Sequence, residues 1–130
     1  MNARQIFLLV TALGLTPIAL SYGVAPAVSL SVLFGLTIDS VNATHIFRAV
    51  MGLYLALAMF WVVGALRPTV RQAALYSLVV FMCGLAAGRV LSLIIDGMPN
   101  WLLVVYLILE LGFGLAGMVL LGRSDEVPGE

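Results

Sequence analysis

The chain has 130 residues, of which 63% are hydrophobic and 9% are charged, and its mean hydropathy is +1.18. Soluble domains carry about a quarter of charged residues, so this composition excludes a water-soluble globule. Six arginines balance six acidic residues without forming a basic tract, which excludes nucleic-acid binding. One cysteine and one histidine exclude a disulfide framework and a Cys/His metal site. We expect a small membrane protein without a cofactor.

Four apolar windows are long enough to cross a hydrocarbon core about 30 Å thick, which needs roughly 20 residues of helix. They cover residues 5–22, 44–66, 70–95 and 99–122. Arg67 and Pro68 end the second window, and Thr69 with Gln72 has the spacing of a capping box for the third. Because the connections after the second and third windows are short, the sequence predicts antiparallel neighbours. The predicted fold is all-α, a four-helix transmembrane bundle forming one domain over residues 1–123.

The first window also has the pattern of a secretory signal, because a charged start and an apolar run precede Ala25-Pro26-Ala27. We expect a retained span, kinked at Pro17. The apolar stretch over residues 27–38 is too short to cross a membrane. It is predicted to form an interfacial or re-entrant helix.

Positive charge marks one side of the predicted bundle, at Arg4, Arg67, Arg71 and Arg123. The opposite loops contain Asp39 and Asp96. Since loops rich in arginine stay in the cytoplasm, both termini are predicted to be cytoplasmic. The acidic tail from Ser124 to Glu130 is expected to be disordered on that side.

Three charged residues fall inside the predicted spans: Arg48, Arg89 and Glu110. Each costs about 2.5–3.5 kcal/mol at the centre of a bilayer, so such residues usually face the interior and find partners. Counted from the outward helix ends, they lie about 6, 9 and 16 Å deep. We predict an ion pair between Arg89 and Glu110. Arg48 is expected to reach a lipid headgroup or to join the pair as a second cation.

Helical spacing extends these charges into three faces. The faces are Arg89, Ser92 and Asp96 on the third helix; Tyr106, Glu110, Phe113 and Gly117 on the fourth; and His45, Arg48, Gly52, Ala56 and Met59 on the second. If the faces converge, they form a polar pocket that opens outward, with Tyr106, Ser92 and His45 as hydrogen-bonding walls. Two arginines against one glutamate would attract an anion such as a lipid phosphate or a carboxylate.

Small residues at a spacing of four indicate close helix packing. Such pairs are Gly84 with Gly88 and Gly112 with Ala116, and Gly52 and Gly117 are predicted to pack similarly. The pattern is compatible with contacts inside one bundle and with contacts between subunits of a homo-oligomer.

Several of these segments together resemble a known family. They are HIFRAVMGLYL over residues 45–55, GLAAGRVLS over residues 84–92, Asp96-Gly97-Met98-Pro99 and Glu110. The resemblance runs from the first helix to about Leu121 and is to small bacterial membrane proteins catalogued as domain of unknown function four-three-four-five. It implies four transmembrane helices in a bacterial inner membrane. It supplies no reaction, ligand or partner.

Two classes of function fit the sequence. The first is a non-enzymatic module that binds an anionic amphiphile or lipid, or an accessory or scaffold subunit that binds another membrane protein. The second is a small oligomeric transporter or proton-coupled carrier that uses Glu110. A guanidinium partner keeps a carboxylate charged, which counts against a proton carrier. No nucleophile and base constellation is present, so no catalytic residue is predicted.

Each polar residue also has a structural interpretation. An Arg89–Glu110 pair can serve only to fix helix pairing. His45 lies near a helix start, where a solvated or capping histidine is common. Asp96 precedes Gly97, as turn-forming aspartates do.

Overall fold

Five helices make up the computed structural model, which describes residues 1–123; the predicted acidic tail lies outside the described residues. The helices are α1 (Ala3–Gly23), α2 (Pro26–Phe34), α3 (Val41–Leu66), α4 (Pro68–Ile95) and α5 (Trp101–Gly122). All but α2 are long and apolar enough to cross a membrane. The predicted all-α fold with four spans is therefore confirmed, and so is a short helix between the first two spans.

Local capping chemistry sets where the spans begin. The side chain of Asn2 accepts a hydrogen bond from the backbone N–H of Gln5, and Gln5 returns one, so α1 starts with a capping box. The Ser40 hydroxyl accepts from the Ala43 N–H and starts α3 before the predicted residue 44. The Asn100 side chain does the same for the Leu102 N–H at the start of α5.

The capping box predicted for α4 is wrong. Pro68 occupies the first helical position, where its fixed φ suits a helix and its missing N–H leaves no donor unsatisfied. The helix therefore starts without a side-chain cap. Gln72, the predicted partner of Thr69, instead accepts a hydrogen bond from Arg4 Nη1 at 3.1 Å.

Helix α2 is shorter than the predicted segment over residues 27–38. It ends at Gly35, whose φ of 69° lies in the left-handed region that glycine adopts without strain. The Gly35 N–H donates to the Ser31 carbonyl and the Leu36 N–H to the Leu30 carbonyl, as in a Schellman motif. The Leu30 side chain is fully buried, which attaches α2 to the bundle.

The bundle is built from helix pairs that follow the chain. Helix α1 packs mainly on α3, α3 on α4, and α4 on α5, while α1 meets α5 less closely. The core is made by Leu8, Leu15, Ala19, Tyr54, Ala58, Trp61, Ala74, Leu75 and Leu78. Helix α1 supplies buried residues along its whole length and packs as part of the bundle.

The prediction of which face of α3 points inward is wrong for the part of the helix that follows Arg48. Gly52 and Ala56 are exposed, and Met59 is 69% exposed. The helix instead buries Tyr54, Ala58, Trp61 and Ala65 against its neighbours. Since α3 is apolar on all sides, its few polar residues do not mark which side packs.

We call the end of the bundle that holds the N-terminus the Arg-rich end. Two helices are capped by arginines there. Buried Arg4 donates from Nη2 to the carbonyls of Leu120 and Arg123, each at 2.9 Å. Buried Arg71 donates at 2.9 Å from Nε to the Gly64 carbonyl and from Nη2 to the Ala65 carbonyl. The last carbonyls of a helix lack partners within it, so these guanidinium groups supply the missing donors.

Candidate functional site

An ion pair joins α4 to α5 within two of the candidate spans. Arg89 Nε lies 2.8 Å from Glu110 Oε1 and 3.0 Å from Glu110 Oε2, and donates to both. The Glu110 side chain is 8% exposed and that of Arg89 is 22% exposed. The antiparallel turn between the helices makes the contact possible, because it brings the last turns of α4 alongside the first turns of α5.

Aromatic rings surround this pair at the far end, the end opposite the Arg-rich end. The Arg89 guanidinium carbon lies 5.7 Å from the centroid of the Tyr106 ring, within the range of a cation–π contact. The phenol of Tyr22 also interacts with the guanidinium. Phe34, the last residue of α2, contacts Tyr106 edge-on at 6.1 Å and stacks on Tyr22 at 6.3 Å between centroids. Tyr106 of α5 and Tyr22 of α1 thus lie beside the Arg89 side chain, and Phe34 of α2 contacts both tyrosines.

A cavity of about 90 Å³ runs from this pair toward the Arg-rich end. It is lined by Thr11, Gly14, Leu15, Ile18, Tyr54, Phe81, Met82, Leu85, Arg89, Tyr106, Leu109, Glu110 and Phe113. Most of its wall is carbon, and its charged groups belong to one pair at one end. The Thr11 hydroxyl donates to the Phe7 carbonyl and so is already used within α1. The site is an apolar cavity with a polar end, whereas the sequence predicted a polar pocket.

Arg89, Glu110 and Tyr106 are the predicted site residues that the structure brings together. Ser92 and Asp96 lie past the pair, where the Ser92 hydroxyl donates to Asp96 Oδ2 at 2.6 Å on the exposed end of α4. Gly97 follows with a φ of 98°, so this segment forms the turn into α5. Ser92 and Arg89 do border a small recess beneath that turn.

Arg48 and His45 do not line the cavity and lie in a separate recess. Arg48 Nη1 donates to the Gly23 carbonyl at 3.0 Å, at the C-terminal end of α1. Both side chains are exposed and line an open recess together with Asp39. The positive excess predicted beside Glu110 is therefore absent, because the described residues of the cavity carry one arginine and one glutamate.

The glycines predicted to pack helices divide into two groups. Gly117 is buried, and a Cβ added there would lie 2.6 Å from Val79 Cγ2. Gly52, Gly84, Gly88 and Gly112 have open space where a Cβ would be, and Ala116 is exposed. Packing of this second group inside the bundle is therefore wrong, because its members point away from the other helices. Their packing between subunits stays a prediction.

Sequence reasoning missed Phe34 and Tyr22 as neighbours of the ion pair. Nothing in the sequence signals the contact of Phe34 with Tyr106, because the direction in which α2 lies is set by tertiary packing. The cavity-lining residues of α1, such as Gly14 and Ile18, carry no polar group that would single them out.

Comparison with known proteins identifies a family without a described activity. No curated protein and no solved structure matches the chain. The family model described as Domain of unknown function (DUF4345) matches residues 3–121, which includes α1 to α4 and nearly all of α5. The resemblance carried by the sequence motifs is thereby confirmed. The chain belongs to the DUF4345 family.

Proposed function

We propose that this protein is a non-enzymatic membrane module that holds an amphiphile, with the apolar chain in the cavity and the headgroup at Arg89. One observation carries the proposal: a charged pair, Arg89 and Glu110, stands at the end of an apolar cavity. Charged side chains inside a membrane are costly and usually mark a functional site. An apolar cavity with a few polar groups at one end is the ordinary form of a small-molecule site.

The hydrogen-bonding capacity of Arg89 supports a ligand there. Glu110 accepts the Nε hydrogen, and the Tyr22 phenol also interacts with the guanidinium, which carries five N–H hydrogens in all. The Arg89 side chain lines the cavity and is 22% exposed. The two Nη groups of a guanidinium form a fork that matches carboxylate and phosphate oxygens. The N–H hydrogens that Glu110 and Tyr22 leave unused favour an oxyanion headgroup. Net charge does not favour it, because Glu110 balances the charge of Arg89.

Native mass spectrometry of the protein purified in mild detergent tests this function. We expect the wild type to retain a discrete small mass and Arg89→Gln to lose it. Arg48→Gln is the matched control, because it removes the same kind of charge from a different recess and is expected to keep the mass. The variant Arg89→Met with Glu110→Gln removes the pair without leaving an unpaired charge, and is also expected to lose it. A bare wild type, or equal retention by Arg89→Gln, would overturn the proposal.

An accessory or scaffold role is the second candidate. It is favoured by the exposed glycines Gly84, Gly88 and Gly112 of α4 and α5, at which an added Cβ would meet nothing within 4 Å in residues 1–123. Gly88→Leu is expected to dissociate a co-purifying membrane protein while leaving the bundle folded. The same mass spectra report that partner, and unchanged co-purification would contradict this role.

We also propose the orientation of the molecule. Arginines gather at the Arg-rich end, whereas the loops of the far end contain aspartates. The positive-inside rule then puts both termini in the cytoplasm and the far end outside a bacterial inner membrane. With this orientation, Arg89 lies toward the outer surface.

A further inference from the structure

Helices α1 and α5 touch at the Arg-rich end and separate beyond it. The Phe7 and Phe113 rings stack with centroids 5.7 Å apart, and Arg4 joins α1 to the end of α5. Past these contacts the two helices face each other across the cavity. Gly14 and Leu109 both line the cavity and are both exposed, Leu109 by 46%. The mouth of the cavity therefore lies on the side of the bundle, between these two residues.

Both ends of the cavity along the bundle axis are covered by aromatic rings. The stacked Phe7 and Phe113 rings form the floor at the Arg-rich end. At the far end Phe34 bridges Tyr22 and Tyr106. The side mouth thus opens on the part of the spans that faces lipid. Through this mouth a molecule can enter the cavity from the bilayer.

The size of the cavity limits what it can hold. On α4 its lining extends from Phe81 to Arg89, which is about 12 Å along the axis at 1.5 Å per residue. A volume of about 90 Å³ along that length is narrow. It is smaller than the cavity of about 150 Å³ that accepts a benzene ring. A cavity of this size suits a segment of one alkyl chain better than two chains or a fused ring system.

Resting on the proposed function, we infer that the ligand is a single-chain amphiphile with a carboxylate or phosphate headgroup, which enters sideways from the bilayer between α1 and α5. Its headgroup would meet Arg89, and its chain would run toward Phe7 and Phe113. In the proposed orientation this is how an amphiphile of the outer leaflet already lies. Binding therefore requires a sideways step and no reversal of the molecule.

Trp61 is a built-in reporter for this inference. Its ring is fully buried and lies 5.7 Å from the ring of Phe81, which lines the cavity. Trp101 is 72% exposed, so Trp101→Phe removes the other tryptophan signal. The probe is octadecanoic acid brominated at mid-chain, added to the Trp101→Phe protein in bilayers of unbrominated phosphatidylcholine. We expect saturable quenching of Trp61 fluorescence, reversed by unbrominated octadecyl phosphate.

A pair of glycine substitutions tests the route. Gly14→Phe fills the mouth of the cavity, and Gly84→Phe adds the same ring at a helical glycine that is equally free of neighbours but lies on the outside of α4. We expect Gly14→Phe to abolish the saturable quenching and Gly84→Phe to leave it unchanged. Arg89→Gln, or replacement of the acid by the brominated alcohol, is expected to weaken binding about tenfold, the worth of a charge-assisted hydrogen bond.

The headgroup, the single chain and the route of entry are each contradicted by a different result. Equal binding of the alcohol, or no displacement by octadecyl phosphate, contradicts the headgroup. Saturable quenching by phosphatidylcholine brominated at the same carbon contradicts the single chain. Unchanged quenching in Gly14→Phe contradicts the route. In these cases a retained mass that depends on Arg89 would leave the proposed function standing. Absence of saturable quenching with every probe, together with a bare mass spectrum, overturns both proposals.

Discussion

Arg89 and Glu110 are the residues on which the site depends, and each stabilises the other. Their contact is short, and Glu110 is nearly inaccessible. Removing one partner of a buried pair leaves an uncompensated charge, which costs far more than removing both. The pair therefore contributes to stability as well as to the proposed binding, and the two contributions can be separated by a double-mutant cycle.

We predict that Arg89→Met or Glu110→Gln alone lowers the free energy of unfolding by about 3–5 kcal/mol. The double variant is expected to be more stable than either single variant, because no charge is left without a partner. Denaturation followed by circular dichroism in detergent micelles measures this. A double variant whose loss equals the sum of the two single losses would show that the pair does not act as a pair.

The sequence identifies Arg89 and Glu110 because charges are exceptional in apolar spans, and both residues fall within predicted spans. It does not separate Arg48 from them, although Arg48 is also a charge within a span. Which side of α3 carries Arg48 depends on how α3 rotates against α1, and packing of Tyr54 and Trp61 decides that rotation. A polar pattern on one helix cannot supply this information.

At the scale of the helices, close approach is concentrated at a few small residues. Gly64 of α3 faces Ala74 of α4 so closely that an added Cβ would collide with the Ala74 Cβ. Gly52 on the same helix has nothing within 4 Å of that position. The two glycines form a matched pair for testing the packing of α3.

We expect Gly64→Ala to destabilise the bundle by about 1–3 kcal/mol, because the two helices have to move apart. Gly52→Ala is expected to be neutral or to stabilise by up to about 1 kcal/mol, because alanine is the better helix former. Thermal denaturation of both variants in the same detergent measures the difference. Equal stabilities would contradict the observed approach of α3 and α4.

The arginine caps are the second feature at this scale. Pro68 has no N–H to offer the Gly64 carbonyl four residues earlier, and Arg71 supplies a donor in its place. We predict that Arg71→Met costs about 2–4 kcal/mol, because two carbonyls lose charged donors. Arg67→Met is the control, since Arg67 is exposed, and it is expected to change stability little. A comparable loss in both variants would mean that these hydrogen bonds do not matter.

The sequence predicts where the helices begin and end better than it predicts which side of each helix packs inward. Length and hydropathy are sufficient for four spans, and the observed starts differ by a few residues where Ser40 and Pro68 set them. The faces are harder, because each span is apolar on all sides and lipid and core attract the same residues. For this reason Gly84 and Gly88 were expected to pack but point outward.

For the whole molecule, the arrangement of charge predicts how the bundle sits in a membrane. Asn42 is exposed at the far end and Arg67 at the Arg-rich end. In a Cys83→Ala background, we expect Asn42→Cys to react with a membrane-impermeant maleimide in intact cells that express the protein. Arg67→Cys is expected to react only after the cells are permeabilised. The reverse pattern would contradict the proposed orientation.

The bundle as a whole also explains why its cavity was not predictable. The cavity exists because α1 and α5, the first and last spans, close against each other only at the Arg-rich end. Neither span contains a signal for that contact, since Phe7 and Phe113 are two apolar residues among many. The position of α2, which brings Phe34 to Tyr106, adds a further element that periodicity does not fix.

The central claim is that an amphiphile occupies the cavity, and magnetisation transfer in solution tests it most directly. Isotope-labelled octadecanoate is added to the protein in deuterated detergent, and nuclear Overhauser effects from its chain are recorded. We predict saturable transfer to the methyl group of Met82, which is buried and lines the cavity, and its loss in Gly14→Phe. Transfer confined to exposed residues such as Met118 would show that the chain stays on the outer surface and would contradict the account.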